Sequence, residues 1–136
     1  MQAIAYQNAL PISDPRALQD VTLPDPTPGP HDLLVEVRAI AVNPVDTKVR
    51  ASASAEAGGW KVLGWDAVGT VEAIGTGVTL FKLGDRVYYA GAVNRPGANS
   101  ALHAVDERIV ALAPTSIDDA QAAALPLTAI TAYELL

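Results

Sequence analysis

Residues 67–90 have the sequence AVGTVEAIGTGVTLFKLGDRVYYA. Turns at Gly75-Thr76-Gly77 and Gly84-Asp85 divide this stretch into three predicted strands, over residues 67–74, 78–83 and 86–90. We expect Gly75-Thr76-Gly77 to be a hairpin turn in which glycine supplies a positive φ angle. Several short strands joined by tight glycine turns are typical of β-barrels and β-sandwiches. The stretch therefore predicts a mainly β fold.

The rest of the chain continues this pattern up to its last twenty or so residues. Further strands are predicted over residues 2–6, 18–23, 34–42 and, singly or as a pair, 101–112. In the predicted strand over residues 34–42, the alternation of apolar and polar residues places Val35, Val37 and Ala39 on one face. The unbroken apolar run at residues 40–42 predicts burial on both faces. The charged Asp106-Glu107-Arg108 segment predicts an exposed hairpin tip.

Helices are predicted only at the C-terminal end. Ser116 and Asp119 have the spacing of a capping box, and an alanine-rich helix follows them. Pro126 should end or bend this helix, because proline lacks the backbone donor that an interior position needs. A second helical stretch is predicted from Leu127 or Thr128. The expected fold class is mainly β (α+β) with C-terminal helices.

Composition excludes several kinds of protein. The 136 residues are enough for one domain, and a hydrophobic fraction of 50% with 18% charged residues supplies a core. Since the chain has no cysteine, it has no disulfides, thiolate nucleophiles or thiolate metal ligands. The formal net charge of -6 argues against a broad nucleic-acid or anionic-membrane surface, because those partners need clustered Lys and Arg.

The chain has no pattern of a secretion signal or membrane span. The apolar stretch at residues 120–136 is interrupted by Gln121, Pro126 and Glu134. We therefore expect a soluble, cytoplasmic protein that does not bind membranes.

Ligand-binding motifs within the chain are sparse. Gly75-x-Gly77 does not match a dinucleotide-binding loop, because Leu80 occupies the third glycine position. Neither His31 nor His103 lies in a metal-ligand spacing. We predict a solvated turn position for His31 and a structural role for His103.

Four stretches together carry a family resemblance. They are residues 43–50 (NPVDTKVR), 63–75 (LGWDAVGTVEAIG), 84–87 (GDRV) and 123–133 (AALPLTAITAY). In this order they resemble the N-terminal part of the medium-chain dehydrogenase/reductase superfamily, in its zinc-type alcohol dehydrogenase-like and quinone oxidoreductase branch. The resemblance implies a GroES-like, partly open β-barrel over residues 1–116 that forms the substrate-side domain. Residues 117–136 would connect it to a Rossmann domain, absent from this chain, that binds NADP(H) or NAD.

The departures from the zinc-dependent pattern concern the metal ligands. In such relatives the positions of Asn43 and Trp65 hold a cysteine and a histidine that bind zinc, and that of Val45 holds a hydroxyl residue of the proton relay. Asp66 stands in place of a glutamate. A carboxamide and an indole cannot replace a thiolate and an imidazole as zinc ligands. We therefore predict no metal site and no zinc.

The resemblance also implies roles for particular side chains. Asn43 and Lys48 are the candidate catalytic residues, although Lys48 stands where many quinone reductases have a tyrosine. Asn43 and Thr128 would contact the cofactor, and Trp65 and Asp46 would line the substrate pocket.

Structural roles stay open for the same positions. The alternatives are Asn43 as a turn cap, Asp46 as the ion-pair partner of Arg50, Trp65 as core packing and Thr128 as a helix cap. Asp66 is expected to be a hydrogen-bonded structural carboxylate.

The resulting hypothesis is a zinc-independent, NADP-preferring oxidoreductase. Without a metal to polarise a carbonyl, hydride transfer favours quinones and α,β-unsaturated carbonyl compounds, whose anions are delocalised. The full-length enzyme would be a homodimer with a small-molecule substrate, and this chain alone would be inactive. Two alternatives stay open: a non-enzymatic GroES-like binding module and a zinc-dependent alcohol dehydrogenase.

Overall fold

The computed structural model describes residues 1–136 and contains eight strands and three α-helices. In chain order they are β1 (Gln2–Tyr6), β2 (Gln19–Thr22), β3 (Asp32–Ile40), α1 (Pro44–Ser52), β4 (Lys61–Val62), β5 (Ala67–Ile74), β6 (Arg86–Tyr89), β7 (Leu102–Asp106), β8 (Ala111–Leu112), α2 (Asp119–Ala123) and α3 (Pro126–Glu134). A 3₁₀ turn at Glu107–Ile109 separates β7 from β8. None of these helices has the length and apolar character needed to cross a membrane.

The strands form two antiparallel sheets. One has the order β7-β3-β5-β6-β8 and the other the order β2-β1-β4. The segment at residues 98–101 joins them, since the backbone N–H of Ile4 donates to the Asn99 carbonyl at 2.9 Å and that of Val37 donates to the Ala101 carbonyl at 3.0 Å. The sheets do not close on each other, as expected for a partly open barrel.

Strand β5 lies at the centre of the larger sheet and is covered on both faces over its first half. On one face Ala67 and Val71 belong to the main core, with residues of β3, β6 and β7. On the opposite face Val68 packs against Ala122 and Ala123 of α2. Because successive strand residues point to opposite faces, this double coverage explains why β5 begins with an apolar run rather than an alternating one.

The predicted strand over residues 78–83 is wrong. This segment is irregular, and the buried carboxylate of Glu107 accepts hydrogen bonds from the backbone N–H groups of Thr79 at 3.0 Å and Leu80 at 2.8 Å. Gly75 does not adopt a positive φ angle either. A Cβ atom at Gly75 would collide with the carbonyl oxygen of Gly29, so the glycine is needed for close backbone approach.

The predicted hairpin tip at Asp106-Glu107-Arg108 is also wrong. β7 pairs with β3 whereas β8 pairs with β6, so the two strands do not form a hairpin. Glu107 is only 3% exposed because its carboxylate holds the irregular segment described above.

The helix predictions and one burial prediction need correction as well. α1 begins at Pro44, where the sequence predicts only the end of a strand, because proline is favoured at the first helical position. α2 is capped by Asp118, whose Oδ1 accepts from the Gln121 N–H at 2.8 Å, and not by Ser116. α3 begins at Pro126, a first-turn position at which the missing N–H costs nothing. Ile40 and Val42 are 38% and 71% exposed, so the end of β3 is not buried on both faces.

A charged pair joins the start of β3 to the segment between β6 and β7. Arg95 donates from Nη1 to Asp32 Oδ1 at 2.9 Å and from Nη2 to Asp32 Oδ2 at 2.7 Å. The Arg95 guanidinium holds the pKa of Asp32 below its usual value, although burial acts in the opposite direction. Because this pKa is lower in the folded than in the unfolded chain, the pair stabilises the fold above the unfolded pKa. That stabilisation is lost as the pH falls through the folded pKa.

We expect Arg95→Met to lower the free energy of unfolding by about 1–3 kcal/mol at neutral pH, because a largely buried carboxylate loses its charged partner. Urea denaturation of both proteins at several pH values measures the difference. The difference should shrink once the pH falls below 3.8, the ordinary pKa of the Asp32 carboxyl. The control is Arg108→Met, which removes an exposed pair with Asp106 and should change stability little. An equal loss for Arg95→Met at neutral and acidic pH would contradict this account.

Candidate functional site

The site is built around the start of α1. Asn43 follows β3 as the N-cap residue, and Pro44 occupies the first helical position. The Asp46 carboxylate accepts from the backbone N–H of Asn43 at 2.8 Å and from that of Gly64 at 2.9 Å. These two bonds connect the first turn of α1 to the segment that precedes β5.

The side chain of Asp66 lies directly behind Asn43. Asp66 is 1% exposed, and its Oδ2 accepts from Asn43 Nδ2 at 2.8 Å. Its Oδ1 accepts from the backbone N–H of Leu127, in the first turn of α3, at 2.9 Å. Burial raises the pKa of Asp66, and the nearby Asp46 carboxylate adds to this, while the two hydrogen bonds act against it. One carboxylate therefore joins α1, α3 and the start of β5.

Trp65 combines packing with a position beside a cleft. It is 2% exposed, packs with Tyr6 and Leu63, and donates from Nε1 to the carbonyl oxygen of Ala92 at 3.1 Å. The cleft beside it has a volume of about 310 Å³, and its lining includes Glu56, Trp60, Trp65, Val93 and Asn94. The indole thus fixes one wall of the cleft by holding the segment after β6.

Lys48 and Thr128 lie on the surface. Lys48 is exposed on α1, and its ammonium group has no hydrogen bond or ion pair. Thr128 is exposed and its Oγ1 donates to the carbonyl oxygens of Ala124 at 3.1 Å and Leu125 at 3.0 Å. Since a cap must accept from a backbone N–H, Thr128 does not cap α3.

The structure therefore brings Asn43, Asp46, Trp65 and Asp66 together, with Thr128 one residue beyond Leu127. The predicted ion pair between Asp46 and Arg50 is wrong, because Asp46 bonds to backbone N–H groups while Arg50 donates to the carbonyl oxygen of Leu10 at 2.8 Å. The contribution of α3 through the Leu127 N–H was missed. It lies 61 residues from Asp66, and no spacing in the sequence indicates that contact.

His103 has the structural role predicted for it. Its Nε2 lies 2.9 Å from the carbonyl oxygen of Pro96, and its Nδ1 lies 2.9 Å from the Tyr89 hydroxyl. A carbonyl can only accept, so Nε2 carries the hydrogen. Burial lowers the pKa of His103, which leaves the ring neutral, and the Tyr89 hydroxyl therefore donates to Nδ1. This chain of bonds holds the Pro96 segment against the core.

The residues at the site do not fit a zinc ion. Asn43 directs its amide nitrogen to Asp66, and the only polar group of the Trp65 side chain is an N–H donor. No three His, Cys, Asp or Glu side chains in the chain are grouped so as to hold a metal. The donor set lacks the thiolate and imidazole groups that zinc prefers.

The chain is similar to relatives of known sequence and to solved structures. A zinc-type alcohol dehydrogenase-like protein of Staphylococcus aureus is 47% identical over 134 residues, which cover 98% of this chain and 39% of the relative. A crystal structure from Rhizobium etli, provisionally described as a zinc-dependent alcohol dehydrogenase protein, has a TM-score of 0.96 and 54% identity over 100% of this chain and 39% of that chain. The Escherichia coli quinone oxidoreductase complexed with NADPH has a TM-score of 0.85 and 34% identity, over 100% of this chain and 40% of that one.

The chain thus spans about 40% of the length of these relatives. Residues 29–114 match the family described as alcohol dehydrogenase GroES-like domain. This chain belongs to that family, as the GroES-like part of a medium-chain dehydrogenase/reductase.

Proposed function

We propose that this chain is the substrate-side part of a zinc-independent, NADP-preferring reductase that transfers hydride to quinones or α,β-unsaturated carbonyl compounds. Residues 1–116 would form the domain itself, and residues 117–136 the connection to a Rossmann domain. The observation that carries the proposal is that Asn43 and Trp65, at the two metal-ligand positions, direct their N–H groups to Asp66 and Ala92.

The similarity to a quinone oxidoreductase complexed with NADPH supports both the acceptor class and the cofactor. Other relatives have zinc in their names, which favours a metal-dependent alcohol dehydrogenase. The side chains at the two positions argue against it, because metal binding depends on the donor atoms and not on overall similarity.

In the proposed reaction, bound NADPH supplies a hydride and the medium supplies a proton, so that a quinone becomes a hydroquinone. Asn43 and Thr128 would lie beside the nicotinamide. Trp65 would border the acceptor, and Asp46 would shape the pocket indirectly, because its carboxylate bonds to the backbone of Asn43 and Gly64. The Lys48 ammonium, exposed and without a partner, would donate a hydrogen bond to the acceptor oxygen as negative charge develops there.

Two features of the proposal concern the whole protein. We expect a cytoplasmic homodimer whose subunits pair through the domain that lies outside this chain. The small-molecule acceptor would bind between that domain and the cleft beside Trp65.

The protein encoded by the complete reading frame that contains this chain should oxidise NADPH with 1,4-naphthoquinone or a conjugated enone as the acceptor. We expect kcat/KM for these acceptors to exceed that for a simple aldehyde by about 100-fold, because a zinc-independent site would have no Lewis acid to polarise an unactivated carbonyl. Absorbance at the NADPH band measures the rates. Equal turnover of simple aldehydes would contradict the acceptor class, and no turnover with any acceptor would favour a binding module.

We expect Lys48→Met to lower kcat/KM for the quinone by about 100-fold, the effect typical of losing one well-placed donor. Lys48→Arg, which keeps a cationic donor, should retain most of the activity. The control is Lys82→Met, which removes another exposed lysine, paired with Asp85 and outside the site. If Lys48→Met and Lys82→Met have the same small effect, Lys48 does not act on the acceptor.

A further inference from the structure

The Asp66 carboxylate contacts both segments that carry the proposed cofactor-facing residues. Oδ2 accepts from the Asn43 side chain, and Oδ1 accepts from the Leu127 N–H, next to Thr128 in α3. Asn43 lies 23 residues before Asp66, and Leu127 lies 61 residues after it. At 1% exposure, Asp66 has no access to a small-molecule acceptor itself.

This geometry determines the orientation of the Asn43 carboxamide. The amide nitrogen is the end of the carboxamide that faces Asp66, where it donates to Oδ2. The Asn43 carbonyl oxygen is therefore turned away from Asp66. The main chain of Asn43 is held as well, because its N–H donates to Asp46.

We propose that Asp66 is a positioning residue for hydride transfer, which turns the Asn43 amide nitrogen inward and holds the first turn of α3 beside it. This proposal rests on the function proposed above. It requires the Asn43 carboxamide to keep the orientation that the bond to Asp66 gives it, with the carbonyl oxygen at the opposite end.

Two substitutions separate charge and geometry at Asp66. Asp66→Asn has nearly the same size, but only one of its two terminal atoms accepts, so either Asn43 or Leu127 loses its acceptor. Asp66→Glu keeps two accepting oxygens. The glutamate variant should therefore retain the orientation of Asn43 that the asparagine variant loses.

The test is a double-mutant cycle in the complete protein, with NADPH and 1,4-naphthoquinone as substrates. Asp66→Asn should lower kcat by about 10- to 100-fold with a much smaller change in KM, because misalignment affects the transition state more than binding. Asp66→Glu should recover most of that loss. In an Asn43→Ala background, Asp66→Asn should lower kcat by less than it does in the wild type, because the part of its effect that acts through the Asn43 side chain is already lost.

A buried carboxylate far from the site serves as the control. Glu107→Gln weakens the hydrogen bonds to Thr79 and Leu80, so it should lower the unfolding temperature while leaving kcat unchanged. A kcat for Asp66→Asn equal to that of the wild type would overturn the proposal. So would a loss that is the same with and without the Asn43 side chain.

Thermal unfolding of the same four cycle proteins separates this proposal from the proposed function. If the wild type oxidises no NADPH with any acceptor, the proposed function fails. The unfolding temperatures of the four proteins still test the hydrogen bond between Asn43 and Asp66. Asp66→Asn should lower the unfolding temperature by less in the Asn43→Ala background than in the wild type. An equal decrease in both backgrounds would show that Asp66 does not hold Asn43, and the proposal would fail.

Discussion

The arrangement of the candidate site depends on one buried carboxylate. Asp66 receives hydrogen bonds from the side chain at the start of α1 and from the backbone at the start of α3. A buried charge is costly unless its lone pairs are satisfied, so Asn43 and Leu127 are needed as donors as much as they are held by the acceptor. The position of Leu127 at the N-terminus of α3 adds a favourable interaction with the helix dipole. This mutual requirement fixes how the C-terminal helix meets the strands.

Local patterns in the sequence predict several of the strands. β1, β5 and β6 follow the predicted positions closely, because β-branched residues, glycines and turn residues there agree with the fold. Residues 78–83 show where this reasoning fails. Their composition favours a strand, but the Glu107 carboxylate captures the backbone N–H groups of Thr79 and Leu80, which a strand would need for pairing. A contact over 27 or 28 residues leaves no local trace in the sequence.

The candidate site could also be predicted in part from the sequence. The family resemblance identifies Asn43, Trp65 and Asp66 as a group, and the structure brings them together at the start of α1 and β5. The resemblance does not reveal that Asp46 would bond to Gly64 rather than pair with Arg50, since a helical spacing of four residues fits the ion pair equally well. Two further hydrogen bonds complete the site. The amide of Asn43 bonds to the carboxylate of Asp66, and the indole of Trp65 holds the segment after β6.

On the function proposed above, hydrogen bonds and not a metal ion organise this site. Diffraction data collected at the zinc absorption edge from crystals of the complete protein, grown in the presence of zinc, test it most directly. We expect no anomalous peak within bonding distance of Asn43, Trp65 or Asp66, with the Asn43 amide still directed at Asp66. A peak there with tetrahedral ligands, one of them an Asp66 oxygen released from Asn43, would contradict it.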